Sequence, residues 1–468
     1  MMINLDKQHL ELIGSRILSE LNDLKRTVES ASHELDIPFE SMKSAVQGEL
    51  SFQEVIEVLF KLEQSYPIDA SDILMAKNDC PDGVKVMKAS ESKKSGRVFS
   101  RENRDNKLTP YYEYRDTAMS NGSMLRPEWI EQLRVVNDND PCNPDVRYNN
   151  GHLMHQVTFF IGPVNFYYEI EGIKYCQKMN TGDSNYITPF VKHSFASRNI
   201  KEQALIIACT FGGEVSGAQK EIYNLGLDRV REFQLPIQQK NHSIQKLIRQ
   251  HLANESLTTN ILQEKIRESG VDLDLSVILS SNHEINYQQL CDLSKLLNVE
   301  PYDLMMPEYS PKEAVVITQS NTKDSYYYPS NQNKLYKIQT LARTSKMPNT
   351  KSFDIEVFSS TYAEKNLWKS SLHQYVYNYS DYPVEIIWHQ NSKKLRAIIE
   401  PGDSCYIQPG ILHSYVNVSS ARGRLLNVRI AGAITVGVQR EISALTQIDR
   451  VALETKPWFD PKAKNSKK

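Results

Sequence analysis

The chain has 468 residues, 55 Lys plus Arg against 57 Asp plus Glu, and 40% hydrophobic residues. That length requires more than one core, roughly three domains at about 150 residues each. The near-neutral balance excludes wholesale disorder and any global pull towards nucleic acid or anionic membrane. The best apolar run, Ala204 to Phe211, is far short of the ~20 residues of a membrane span. The opening MMINLDKQHLELIG has no uninterrupted apolar stretch, so no signal peptide is predicted. Six scattered cysteines without a CxxC predict reduced thiols in a cytoplasmic protein.

In chain order, helical spacing comes first. Leu10, Ile13, Ile17, Leu18 and Leu21, then Val28, Ala31 and Leu35, then Met42 and Val46 predict short helices joined by tight turns. The charged stretch SESKKSGRVFSRENRDNK (90–107) reads as a connection into a β unit. There TGDSNYITPFVKHSF (181–195) matches PGDSCYIQPGILHSY (401–415), identical at eight of fifteen positions. GAQKEIYNL (217–225) matches GVQREISAL (437–445) at the same offset of 220, and MHQVTFFIGPVNFYY matches LHQYVYNYSDYPVEIIW at about 218. Three collinear matches predict a tandem duplication. Short β-branched and aromatic segments punctuated by turn residues predict a barrel or jelly roll in each copy. A second helical unit near 242–305 precedes the second copy, and its PYDLMM echoes ASDILM of the first.

The expected fold is therefore α+β, a small helical domain followed by a β-barrel, twice over. The predicted boundaries are 1–75, 76–240, 241–308 and 309–456, with a basic tail at 457–468. The candidate recognition helices, PFESMKSAVQGEL and LDLSVILSSNHE, carry one Lys between them and more acid than base, which argues against DNA binding.

Ligand-type residues concentrate in NNGHLMHQVTFF (149–160), with His193 37 residues after Gln156. Alternation along a strand would turn His152, Met154 and Gln156 one way and His155 the other. His152, Gln156 and His193 then form a candidate set of three that leaves positions open for substrate and O₂. Taken singly, each histidine is as readily a core or turn residue. His155, which recurs as His373, reads as structural. A neutral amide in the third place leaves a divalent metal's charge uncompensated, favouring an anionic substrate. In the second copy Gln374 and His413 persist but Ser370 stands in place of His152, so that barrel reads as degenerate.

Each helical–β pair resembles the helix-turn-helix/cupin unit of the non-heme iron phosphonate oxygenases. The resemblance rests on GHLMHQ with His193, in which Gln156 takes the place of a glutamate in the single-unit epoxidase of the family. It implies Fe(II) as cofactor, with His152, Gln156 and His193 as its ligands. The partners implied are 2-hydroxyethylphosphonate and O₂, with no nucleic acid, no membrane and a homo-oligomeric state. By the same resemblance Arg104, Tyr112, Asn149 and Lys25 bind the phosphonate, and Lys25 and Tyr114 serve catalysis, Lys25 in its own or a neighbouring chain. The implied reaction is oxidative C–C cleavage to methylphosphonate and carbon dioxide. The alternative is the family's dioxygenase outcome, hydroxymethylphosphonate and formate; that branch takes a glutamate six residues before the last histidine, where Ile187 stands here. From another class, a helix-turn-helix/cupin small-molecule sensor remains open.

Overall fold

The computed structural model describes residues 6–74, 78–236, 239–280, 283–306, 311–322, 324–448 and 451, so the basic tail lies outside the described residues. The chain divides into two compact units, one of residues 1–82, 120–123 and 431–468, the other of 83–119 and 124–430.

In the first unit, helices Lys7–Asp23, Val28–Glu34, Phe39–Gln47, Phe52–Ser65 and Ala70–Ile73 close around Ile13, Ile17, Leu21, Met42, Leu59, Leu62 and Ile73. The helix starts are written locally: Ser51 and Glu54 form a reciprocal capping box. Gly48 ends the third helix at φ +70°, where a Cβ would stand 2.5 Å from Glu11 Cα, so only glycine allows that close approach. The second unit contains the other helical group, Lys240–Asn254 to Pro301–Leu304, with its own core. The echoed motifs do equivalent work, since Ile73 and Leu304 are both fully buried. Of the two candidate recognition segments, the second forms only the four-residue helix Leu275–Ile278. No helix among the described residues is long and apolar enough to cross a membrane.

The strands of the second unit form two seven-stranded and two three-stranded antiparallel sheets, as in cupin-like domains. One large sheet runs Val315–Thr318, Ser184–Ile187, His155–Ile161, Leu205–Phe211, Arg126–Gln132, Leu108–Asp116, Arg97–Glu102. The other runs Val84–Met87, Ser404–Ile407, His373–Asn378, Arg424–Ile430, Thr350–Val357, Lys334–Thr340, Ser325–Pro329. The order is the same in both, and each takes its first strand from the other half of the chain. Val84–Met87 precedes the first set of strands but pairs with Ser404–Ile407; Val315–Thr318 precedes the second but pairs with Ser184–Ile187. The expected connection at 90–107 is instead a short helix, Ala89–Lys94, and the edge strand Arg97–Glu102.

The repeated GDS turns lock this exchange. Asp183 accepts from Ser320 N at 2.7 Å, and Asp403 accepts from Ala89 N and Lys88 Nζ, both at 2.7 Å. Ser184 Oγ takes Ala342 N and Ser404 Oγ takes Ala118 N, each at 2.8 Å. Alternation then assigns the two faces of each sheet. Val157, Phe159 and Tyr186 pack with Tyr375, Tyr377 and Val428 in a core shared by the two large sheets. Phe160 and Ile187 turn the other way, into the first barrel, with Phe166 and Phe195 of its three-stranded sheet. His155 and His373 sit at equivalent places, each with Nδ1 2.6 Å from a tyrosine hydroxyl, Tyr186 and Tyr406.

Candidate active site

Three side chains converge inside the first barrel from three pieces of backbone. Gln156 comes from strand His155–Ile161 and is buried. His193 comes from Lys192–Ser197 on the facing three-stranded sheet, not from the end of the strand after the TGD turn, which stops at Ile187. His152 lies before the strand His155–Ile161 rather than on it. The alternation argument for His152, Met154 and Gln156 therefore does not hold: Met154 Sδ instead receives Arg126 Nη1 at 3.5 Å. His152 reaches the barrel because its loop is folded back. Gly151 has φ +73° and no room for a Cβ beside Phe190, while Phe190 N donates to His152 O at 2.9 Å.

The result is a tight cluster. His152 Nε2 lies 3.3 Å from Gln156 Oε1, and the His152 and His193 rings meet edge-on at 5.3 Å. Each imidazole has its Nδ1 on a backbone carbonyl, Met154 O at 3.0 Å and Val191 O at 2.9 Å. That fixes the proton on Nδ1 and makes both Nε2 atoms lone-pair donors within the cluster. Burial pushes the His193 pKa down to about 4, with smaller contributions from His152 and Arg101, so the ring is neutral at ordinary pH. The donor set suits a divalent metal: two neutral imidazoles and an amide oxygen, with two lone pairs facing one another across 3.3 Å, an arrangement that a cation stabilises. Among the described residues no three His, Cys, Asp or Glu converge, and the third donor here is an amide. Ile187, opposite Gln156 in the register, is fully buried and offers no carboxylate.

The remaining sequence candidates separate. Asn149 joins the cluster: it accepts from His193 N at 2.9 Å and brings Nδ2 to 3.0 Å from His193 Nε2. Tyr114 stands on Leu108–Asp116, and burial raises its hydroxyl to about 12, with Glu128 raising it and Arg101 lowering it. Tyr112 does not fit a substrate role. Its hydroxyl is buried and spent on Phe195 N at 2.9 Å, Phe195 O at 3.2 Å and Ser194. Tyr336 repeats this clamp on Tyr415 in the other barrel, which lacks the cluster. Arg104 is held on the surface by Asp145, Nε to Oδ2 at 2.7 Å, and has no contact with the cluster among the described residues. Lys25 belongs to the other compact unit, where its ammonium donates to Asp23 O at 2.6 Å. The guanidinium whose charge reaches both His193 and Tyr114 is Arg101, set 5.1 and 5.2 Å from the Tyr111 and Tyr112 rings. It stands on the polar edge strand Arg97–Glu102, within the stretch that reads as a connection; the alternation Arg97, Phe99, Arg101 is its local signal.

The second barrel holds a different cation. Gln374 and His413 are buried there, but Arg429 Nε donates to Gln374 Oε1 at 2.9 Å, and Ser370 supplies no imidazole. Arg429 occupies the register position of Thr210 in the first barrel.

Fold and cluster together define a cupin-like protein in which two imidazoles and an amide converge inside the first barrel. Over 458 residues, 97% of this chain and 96% of the relative, the sequence is 36% identical to methylphosphonate synthase of Nitrosopumilus maritimus. HEPD of Streptomyces albus, solved with its substrate 2-hydroxyethylphosphonate and Fe(II) bound, superposes with a TM-score of 0.87 at 32% identity, over 97% of this chain and all of that one. A 2-hydroxyethylphosphonate dioxygenase at 15% identity and TM-score 0.71, covering 96% of this chain and 100% of its own, shares the fold. No family model matches the chain. The chain belongs to the methylphosphonate synthase family of non-heme iron phosphonate oxygenases.

Proposed function

We propose that this protein is an Fe(II)- and O₂-dependent oxygenase converting 2-hydroxyethylphosphonate to methylphosphonate and carbon dioxide, with His152, Gln156 and His193 as the metal ligands. One O₂ balances the reaction, the remaining product being water, so no reducing co-substrate is required. The observation that carries the product assignment is the amide Gln156 beside Nε2 of His152, with apolar Ile187 where the dioxygenase branch is expected to place glutamate. Iron, when bound, supplies the O₂ chemistry and the grip on the substrate's oxygens. The protein's part is anion recognition: Arg101, whose charge is felt at His193 and Tyr114, would provide the cation, and the Asn149 amide and the Tyr114 hydroxyl would donate neutral hydrogen bonds. A Tyr114 hydroxyl held near 12 stays protonated and keeps its donor at neutral pH. The family resemblance adds Lys25, of this or a neighbouring chain, as a second cation.

The second reading is hydroxymethylphosphonate plus formate, which consumes the same O₂ and is favoured by the likeness to HEPD. Anaerobic loading with one equivalent of Fe(II), then 2-hydroxyethylphosphonate and air, followed by phosphorus NMR, separates the two. A methylphosphonate signal supports the proposal, and hydroxymethylphosphonate overturns the product assignment.

We read the two strand sets with their helical groups as tandem helix-turn-helix/cupin copies, divided at 1–75, 76–240, 241–308 and 309–456. The equal strand order and the paired GDS turns support this. Localisation in the cytoplasm fits the scattered cysteines.

A further inference from the structure

We propose that Thr158 and Asn185 are positioning residues that decide which end of the Gln156 amide faces the metal. This rests on the metal-ligand role of Gln156 given above. A carboxylate presents an oxygen whichever way it turns, whereas an amide has one useful end and one useless end. The His152 ring alone selects the wrong one, because its Nε2 lone pair would accept the amide NH₂. Gln156 nevertheless lies with Oε1 towards His152, and Nε2 donates to Thr158 Oγ1 at 2.8 Å.

A hydroxyl can donate or accept, so Thr158 enforces this orientation only if its own proton is used elsewhere. Directly opposite Thr158 in the antiparallel register, on the same face, stands Asn185. Asn185 is fully buried, and neither its oxygen nor its nitrogen has a hydrogen-bond partner among the described residues. Buried amides are rarely left so. Taking the Thr158 proton on Asn185 Oδ1 through one bridging water leaves Thr158 only its acceptor capacity. Gln156 must then turn its NH₂ to Thr158 and its oxygen to the metal.

The second barrel is an internal control. The same register positions hold Val376 and Cys405, so neither device is present. There Gln374 Nε2 has no partner among the described residues, and its Oε1 is taken by Arg429 at 2.9 Å and Asn427 at 3.3 Å. The glutamine survives in both barrels, but its orienting partners survive only beside the two histidines.

The test is Co(II) affinity of the full chain, read from the cobalt absorption bands with the metal alone. Thr158→Val is expected to weaken Co(II) binding about 10- to 100-fold, and Thr158→Ser to stay within about threefold of wild type. Asn185→Val should fall on the Thr158→Val side. The deciding comparison uses Gln156→Glu, which has no wrong end. In that background Thr158→Val or Asn185→Val should change Co(II) affinity by less than about threefold. Equal losses in both backgrounds would reduce the pair to packing and overturn the proposal. If Thr158→Val does not fold, Asn185→Val carries the same comparison. Wild-type protein that binds no Co(II) would overturn the ligand set instead.

Discussion

At the scale of single residues, charge decides what the proposed site can do. Two imidazoles and an amide would hold a divalent metal without cancelling any of its charge, so the pocket would attract dianions more strongly than one with a carboxylate. Gln156→Glu should tighten Fe(II) binding and raise KM for 2-hydroxyethylphosphonate, each by about tenfold, in parallel metal titrations and steady-state assays. Arg101 and Arg104 offer a sharper contrast. Only Arg101 acts on His193, whereas Arg104 is spent on Asp145 at the surface. Arg101→Ala is expected to raise KM about 100-fold, while Arg104→Ala stays within about twofold, since exposed ion pairs contribute little. Equal effects of the two would return the phosphonate to Arg104.

At the scale of elements, the notable feature is the exchange of first strands. The repeated GDS turns are, in the sequence, a mark of the duplication. The hydrogen bonds of their Asp residues fasten Val84–Met87 and Val315–Thr318 into sheets built mainly from the other half of the chain. Asp403 is nearly fully buried and bonds Lys88, Ala89 and Glu400. Asp403→Ala should cost about 3 kcal/mol or more, from the loss of several charge-assisted bonds in a buried place. Hydrogen exchange should localise the loss to Val84–Met87; a uniform loss would mean that the strand is held by its ladder alone.

At the scale of the molecule, Arg429 fills in the second barrel the register position that Thr210 has in the first, and with the proposed metal site in the first barrel this difference predicts one metal per chain. Ser370→His alone should leave that stoichiometry unchanged, because Arg429 is already bonded to Gln374. Adding Arg429→Thr, the first barrel's residue at that position, should allow a second equivalent by metal analysis. His413 gives the second barrel a pH signature. Burial, and secondarily Arg429, lower its pKa to about 4, below the usual value near 6.5. The unfolded chain therefore takes up a proton that the folded one refuses, and stability of the apoprotein falls as pH drops from about 6.5 to about 4, by about 3 kcal/mol for this group. His413→Asn should flatten that part of the profile in urea titrations. Local signals were enough for much of this protein: helical spacing, turn glycines, the internal repeat and the His152, Gln156, His193 spacing all lie within short stretches, where backbone stereochemistry and alternation act directly. Alternation was the wrong reason for pairing His152 with Gln156: the two side chains do meet, but His152 approaches on a loop folded against Phe190. What no short stretch encodes is which sheet a strand joins, since edge pairing is settled by partners hundreds of residues away. Tertiary structure alone therefore exchanged the first strands, spent Tyr112 on a clamp, put Arg101 rather than Arg104 within electrostatic reach of His193, and set Asn185 opposite Thr158.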